Sequence, residues 1–210
     1  MGFLPVVAPL LEIQRLPMRL PEPAVVQAVL VTSGNAIDPL PPEWHDRLLL
    51  TVGDTTARRA RDAGFMRVES ADGDAAALAA LTCARCDPRA GALLLVSGKG
   101  QGRALVAALR DAGFRVHQRV AYAAVPVSRL PAAARAPLER GDIGTVLFFS
   151  AETARQFIRL IGKAGMTPSL AHLEAITIGA LAGVALRGVP WSRIRVASQP
   201  TQNEMLALLR

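Results

Sequence analysis

Apolar positions along this chain come in two textures. Short runs with little polar interruption predict strands: AVVQAVLVTS, RLLLTV, GALLLVSG, RVHQRVAY, TVLFFS, EAITIG and IRVA. Between most of them lie DTTARRARDA, DAAALAALTCAR, QGRALVAALRDA, AETARQFIRLIGKA, ALAGVALRG and TQNEMLALLR, which are amphipathic at helical spacing or rich in alanine and predict helices. Strand and helix in alternation imply parallel sheets with helices on both faces. Runs as apolar as ALLLV fit that architecture, because a parallel sheet is covered on both sides.

Two stretches, ARDAGFMRV (60–68) and LRDAGFRV (109–116), repeat one junction. Gly64 and Gly113 stand where a helix must stop, since a residue without Cβ accepts the left-handed conformation of a C′ cap, and the aromatic that follows starts a strand. The opening MGFLPVVAPLLEI carries the same Gly-Phe pair running into Leu4, Val6 and Val7. That predicts a strand at the start of the chain with its β-α front missing.

Two Pro-rich stretches, RLPMRLPEPA (15–24) and AAVPVSRLPAAARAP (123–137), are expected as linkers. They cut the chain into three pieces, of which the first is too short to stand alone. The expected organisation is therefore α/β with two small parallel-sheet domains. Residues 1–20 plus 125–210 form a discontinuous domain, residues 22–122 form an inserted one, and a two-stranded linker joins them. Ligands of open α/β sheets bind outside the carboxyl ends of the strands, so two such domains predict a cleft.

Composition narrows the function. Of 210 residues 51% are apolar and 20% charged, which excludes a disordered chain. No apolar run approaches the ~18 residues of a membrane span, and Pro5 and Pro9 argue against a signal peptide, so a cytoplasmic protein is expected. The formal charge of +7 is carried almost wholly by arginine, Lys99 and Lys163 being the sole lysines. Arginine's planar fork suits carboxylate or phosphate, although an Arg- and Ala-heavy composition also follows from genome bias. Aromatic residues at 4% are too few for a base-stacking platform, so no nucleic-acid partner is expected. Cys83 and Cys86 form a single CxxC at a helix end ahead of Pro88, the wrong end for a redox motif, and the three histidines lack metal-ligand spacing. Reduced thiols and no metal are expected.

Several strands finish in polar clusters that then start helices: LVTSGNA, LTVGDTTA, LLVSGKGQGR, LFFSAETA and ITIGALAG. Such ends cap helices, and their backbone N–H groups with the helix dipole can also hold an anionic oxygen. SGKGQGR (97–103) is neither a GxGxxG fingerprint followed by an acid nor a GxxxxGK[ST] loop; a glycine-rich anion loop flanked by Lys99 and Arg103 remains. No GxSxG elbow is present.

In order and spacing, PLLEI, LVTSGNAI, TVGDTTARRARDAGF, LLVSGKGQGRALVAALRDAGFRVHQRVAYAAVP, VLFFSAETARQFI, ITIGALAGVALRG and VASQPTQNEMLALL resemble the uroporphyrinogen-III synthase family over nearly the whole chain. The resemblance implies a monomeric, cofactor-free lyase of tetrapyrrole (heme) biosynthesis. It would cyclise hydroxymethylbilane, handed over by a hydroxymethylbilane synthase, with loss of water and inversion of the last pyrrole ring. It also implies that the opening lacks a strand and helix that family members carry. Carried over by position, Gly53 and Thr56 in VGDTTA, Thr32 and Ser33 in VTSGNA, Ser97 and Gly98 in VSGKG, Ser150 in FFSAETA and Gly179 in TIGALAG become substrate contacts. Tyr122 in VAYAAVP becomes the group that assists departure of the hydroxyl. In GALAG, Ala182 stands where the family pattern has Thr, and that contact is lost. The competing expectation is an impaired relative that only binds an anionic ligand.

Overall fold

In the computed structural model, which describes residues 2–209, the strands formed from the apolar runs pair in parallel, as those runs require. Contacts divide the chain into two units, one of Met1–Glu12 with Val125–Arg210 and one of Ile13–Ala124. The chain passes between them within β1 (Leu11–Arg15) and β6 (Val116–Pro126), which are neighbours in a sheet. Leu16 N–H donates to the Ala121 carbonyl and Val127 N–H to that of Leu10, so one residue number rises as the other falls and the two strands are antiparallel.

The sheet of the Ile13–Ala124 unit has the order β1-β6-β5-β2-β3-β4, with β2 at Val26–Val31, β3 at Leu48–Thr51, β4 at Arg67–Ser70 and β5 at Ala92–Gly98. Its side chains alternate between two cores. Val29, Val31, Leu49, Leu94 and Val96 face one side with Trp44 and with Ala60 of α1 (Asp54–Asp62). Leu30, Leu50, Leu93 and Leu95 face the other, with Leu78 of α2 (Ala75–Arg85) and Leu105 and Leu109 of α3 (Arg103–Asp111). Each fully buried leucine contributes about 1.5–3 kcal/mol by leaving water. Gly64 and Gly113 end α1 and α3 with φ of +99° and +88°, the left-handed caps expected of them.

The other unit holds α4 (Ala132–Arg140), β7 (Thr145–Phe148), α5 (Ala151–Lys163), β8 (Glu174–Thr177), α6 (Ala180–Ala185), β9 (Arg193–Val196) and α7 (Gln202–Ala207). Its sheet has the order β7-β8-β9, all parallel. Ala175 packs with Phe148, Phe157 and Leu160 on one face, and Ile176 with Met205 on the other. Phe148 and Phe157 meet edge to face at 5.3 Å, and Trp191 lies 6.0 Å from each.

Two expectations are corrected. Leu4, Val6 and Val7 form no strand; the first strand is Leu11–Arg15, beyond Pro5 and Pro9, whose missing N–H groups weaken any ladder. The stretch 123–137 is not a bare linker, because it completes β6 and then builds most of α4. Pro131 stands at the N-cap of that helix and Pro137 inside it, so proline density concealed an alanine-rich helix.

Candidate functional site

In the Ile13–Ala124 unit the sequence-predicted residues gather at the carboxyl end of one sheet. The order β6-β5-β2-β3 sets side by side Tyr122, Ser97 with Gly98, Thr32 with Ser33, and Gly53 with Thr56. Thr32, Ser33, Gly53 and Thr56 are all partly exposed. Ser33 caps the short turn Gly34–Ala36, its Oγ accepting from Asn35 N–H at 3.4 Å. Gly53 precedes α1 without a side-chain cap, and a Cβ built on it would meet nothing within 4 Å, so no side chain of its own covers the start of the helix.

A buried brace holds that turn. Thr51 is fully buried and donates its hydroxyl to the carbonyls of Gly53 (3.2 Å) and Glu69 (3.5 Å). The same device recurs in the other unit, where buried Thr177 donates to Gly179 (3.3 Å) and Arg195 (3.4 Å). Residues 51, 53 and 69 against 177, 179 and 195 keep a constant offset of 126, and the strand pairings follow it, with Leu48–Arg67 matching Glu174–Arg193. Both units therefore present the same strand-turn-helix end. Their occupants differ: Asp54, Thr55 and Thr56 on one, Ala180, Leu181 and Ala182 on the other. Leu181 is 79% exposed, whereas Ala182 is buried.

Ser150 caps α5, its Oγ accepting from Thr153 N–H at 3.1 Å and lying 2.6 Å from the Thr153 hydroxyl. It follows β7 as Gly179 follows adjacent β8, so the two stand side by side at the carboxyl end of the second sheet. Gly179, like Gly53, leaves open space where a Cβ would be.

Ser97, Gly98 and Tyr122 are placed differently from an open contact surface. Ser97 is fully buried and accepts from Gln118 Nε2 at 3.2 Å. The Tyr122 ring, 3% exposed, lies against Gly98, where a Cβ would fall 2.8 Å from two ring carbons. Its hydroxyl donates to Gln101 Oε1 at 3.2 Å. Gln118 Nε2 also donates to the Gln101 carbonyl at 2.8 Å. Gly100 (φ +79°) and Gly102 (φ +82°) turn the loop between β5 and α3 through left-handed geometry, and Gly102 leaves the start of α3 without a side-chain cap. Lys99 and Arg103 are exposed on either side of this loop, in which the Lys99 and Gln101 N–H groups already donate to the Tyr122 and Gly98 carbonyls.

The sequence did not single out Thr51, Thr177, Gln101 or Gln118. The two threonines leave a faint signal, a Thr two residues before Gly in both LTVGD and AITIG. Cys83 and Cys86 are free thiols at the end of α2, and burial pushes the Cys86 thiol up, with smaller contributions from Cys83 and Glu69. Among the described residues no group of three or more His, Cys, Asp and Glu could hold a metal, and no helix is long and apolar enough to cross a membrane.

A sequence model of the family described as "Uroporphyrinogen-III synthase HemD" matches residues 1–207. Among solved structures, the uroporphyrinogen-III synthetase of Helicobacter pylori is similar at a TM-score of 0.67 and 18% identity, over 95% of this chain and 89% of that one. A mutant uroporphyrinogen III synthase of Thermus thermophilus is similar at a TM-score of 0.50 and 22% identity, over 99% of this chain and 88% of that one. At these identities the likeness concerns the fold. A comparison with curated proteins gives no match.

Proposed function

Since the chain belongs to the uroporphyrinogen-III synthase family, we propose that it cyclises hydroxymethylbilane to uroporphyrinogen III, losing water and inverting the last pyrrole ring. The observation that carries this reading is the family match across 1–207. The substrate bears acetate and propionate arms on every ring. Distributed anion donors answer that chemistry, and the turns at Thr32–Ser33, Gly53–Thr56, Gly98–Arg103, Ser150 and Gly179 each offer helix-start or loop N–H groups. Lys99, Arg103 and the net charge of +7 add long-range attraction for a polyanion.

The bilane closes spontaneously to the uninverted isomer, so the work of the protein is orientation. Holding the chain of pyrroles so that attack falls on the substituted carbon of the last ring favours the spiro intermediate. In this reading Tyr122 gives its phenolic proton to the departing hydroxyl. The C–O bond breaks, water leaves with the electron pair, and the phenolate regains a proton that carbon releases after closure. No cofactor takes part.

The test is incubation with fresh hydroxymethylbilane, oxidation, and chromatographic separation of porphyrin isomers I and III. Predominant isomer III supports the reading. Tight binding of the bilane with only isomer I supports the second reading, an impaired binder, which is favoured by the apolar Ala180-Leu181-Ala182 turn at the positions where the first copy of the internal repeat has Asp54-Thr55-Thr56.

A further inference from the structure

Gln101 is exposed at the tip of the Gly98–Gly102 loop, yet it is fastened twice. Its carbonyl accepts from Gln118 Nε2 at 2.8 Å, an amide that also reaches buried Ser97 Oγ. Its side chain meets the Tyr122 hydroxyl at 3.2 Å. The loop is further pinned by Lys99 N–H, which donates to the Tyr122 carbonyl at 2.8 Å. The Tyr122 ring rests on Gly98 within a packed core, so the contact with Gln101 sets what its hydroxyl proton does.

We infer that Gln101 is a positioning residue for Tyr122, holding the phenol and switching its proton between resting and working states. The inference rests on the reading of Tyr122 as the proton donor to the leaving hydroxyl. A primary amide offers an acceptor and a donor at nearly equivalent places. With Oε1 toward the phenol, as here, the proton is committed to Gln101. Rotated end for end, the amide donates Nε2–H to the phenol oxygen and frees the phenolic proton for the substrate. That donated hydrogen bond also stabilises the charge developing on the phenol oxygen as the proton leaves. Of the residues close to glutamine in shape, Glu can only accept and Leu does neither.

The test uses the full chain carrying Gln101→Leu, Gln101→Glu, Tyr122→Phe and Gln101→Leu with Tyr122→Phe, with kcat and KM for isomer III measured separately. A misplaced proton donor forfeits part of the 10²–10⁴ of general-acid catalysis, so both Gln101 variants should lose ~10-fold or more in kcat with KM little changed. Gln101→Leu should cost nothing further in the Tyr122→Phe background. A second readout needs no turnover: Tyr122 is the only tyrosine in the chain, so ring-13C-tyrosine labelling gives one NMR signal, which should move in Gln101→Leu. Wild-type kcat in Gln101→Leu, an unmoved tyrosine signal, or equal losses with and without Tyr122→Phe would each overturn the inference. Wild-type kcat in Gln101→Glu would overturn the amide exchange. If the unaltered protein makes only isomer I, the functional reading falls, and the tyrosine signal still decides whether Gln101 holds the ring.

Discussion

Gly98→Ala tests the packing at the heart of the site. Gly98 lies opposite Tyr122 in the β5–β6 pairing, and its backbone is extended, so alanine meets no conformational penalty there. The penalty is contact. The new methyl would stand 2.8 Å from Tyr122 Cε2 and Cζ and 3.0 Å from Gln101 Oε1. Ordinary carbon contacts lie at about 3.5–4.0 Å, so the ring must retreat by ~1 Å. It has little room, being packed with Val96 and Ala121 and with Met18 and Leu20 against them. Overpacking of this kind costs about 1–3 kcal/mol, and at ~2–4 °C per kcal/mol for a chain of this size the melting temperature should fall by ~2–12 °C. Urea denaturation followed by circular dichroism measures the loss as a lower midpoint at unchanged slope. Tyr122→Phe keeps both clashing ring carbons and should keep the penalty. Tyr122→Leu removes them and should relieve it, with a coupling of about 0.5–3 kcal/mol. An unaltered midpoint in Gly98→Ala, or one penalty shared by all three backgrounds, would refute the reasoning.

Three further outcomes follow from contacts in the two units. Thr51→Val and Thr177→Val should each cost about 0.5–1.5 kcal/mol, because the Gly53 and Gly179 carbonyls keep their helix N–H partners when the hydroxyl goes. The two losses should add within ~0.5 kcal/mol in the double variant, read by the same denaturation. Ser150→Ala removes the α5 cap and should cost ~1 kcal/mol. Burial raises Cys86 from 9.0 in the folded chain, so its stabilising effect is complete below that value and is lost as pH rises through the raised one. Cys86→Ala should flatten the alkaline fall in stability. Exposed Cys83 should take up iodoacetamide before half-buried Cys86, as peptide mass spectrometry would show.

Much of the architecture was legible because a parallel sheet buried on both faces writes itself as unbroken apolar runs. β2, β3, β5, β7 and β8 lie within the predicted stretches, β9 begins one residue ahead of its own, and α1, α2, α3 and α5 begin within two residues of theirs. β1 was illegible for the opposite reason: LEIQR is exposed along most of its length and carries no core signal. In β4 the aromatic Phe65 enters the core before the strand begins at Arg67. The site was half legible. Capping residues announce themselves locally, as Ser33 and Ser150 do. Gln101 and Gln118 do not, because their contacts depend on a register shift between Ser97 and Gly98 that brings Gly98 opposite Tyr122. No local pattern encodes which residue of one strand will face which of the next.

The offset of 126 gives the chain a control of its own. Wherever its two copies agree, at Thr51 and Thr177, at Gly53 and Gly179, and at the small residues Ala57 and Gly183, the demand comes from the scaffold, since it is met twice in separate surroundings. Wherever they part at exposed positions, at 54 and 55 against 180 and 181, the scaffold is indifferent and some other demand has chosen. Exchanging Thr55 and Leu181 between the copies would move that demand from one unit to the other while leaving each turn standing on its own threonine.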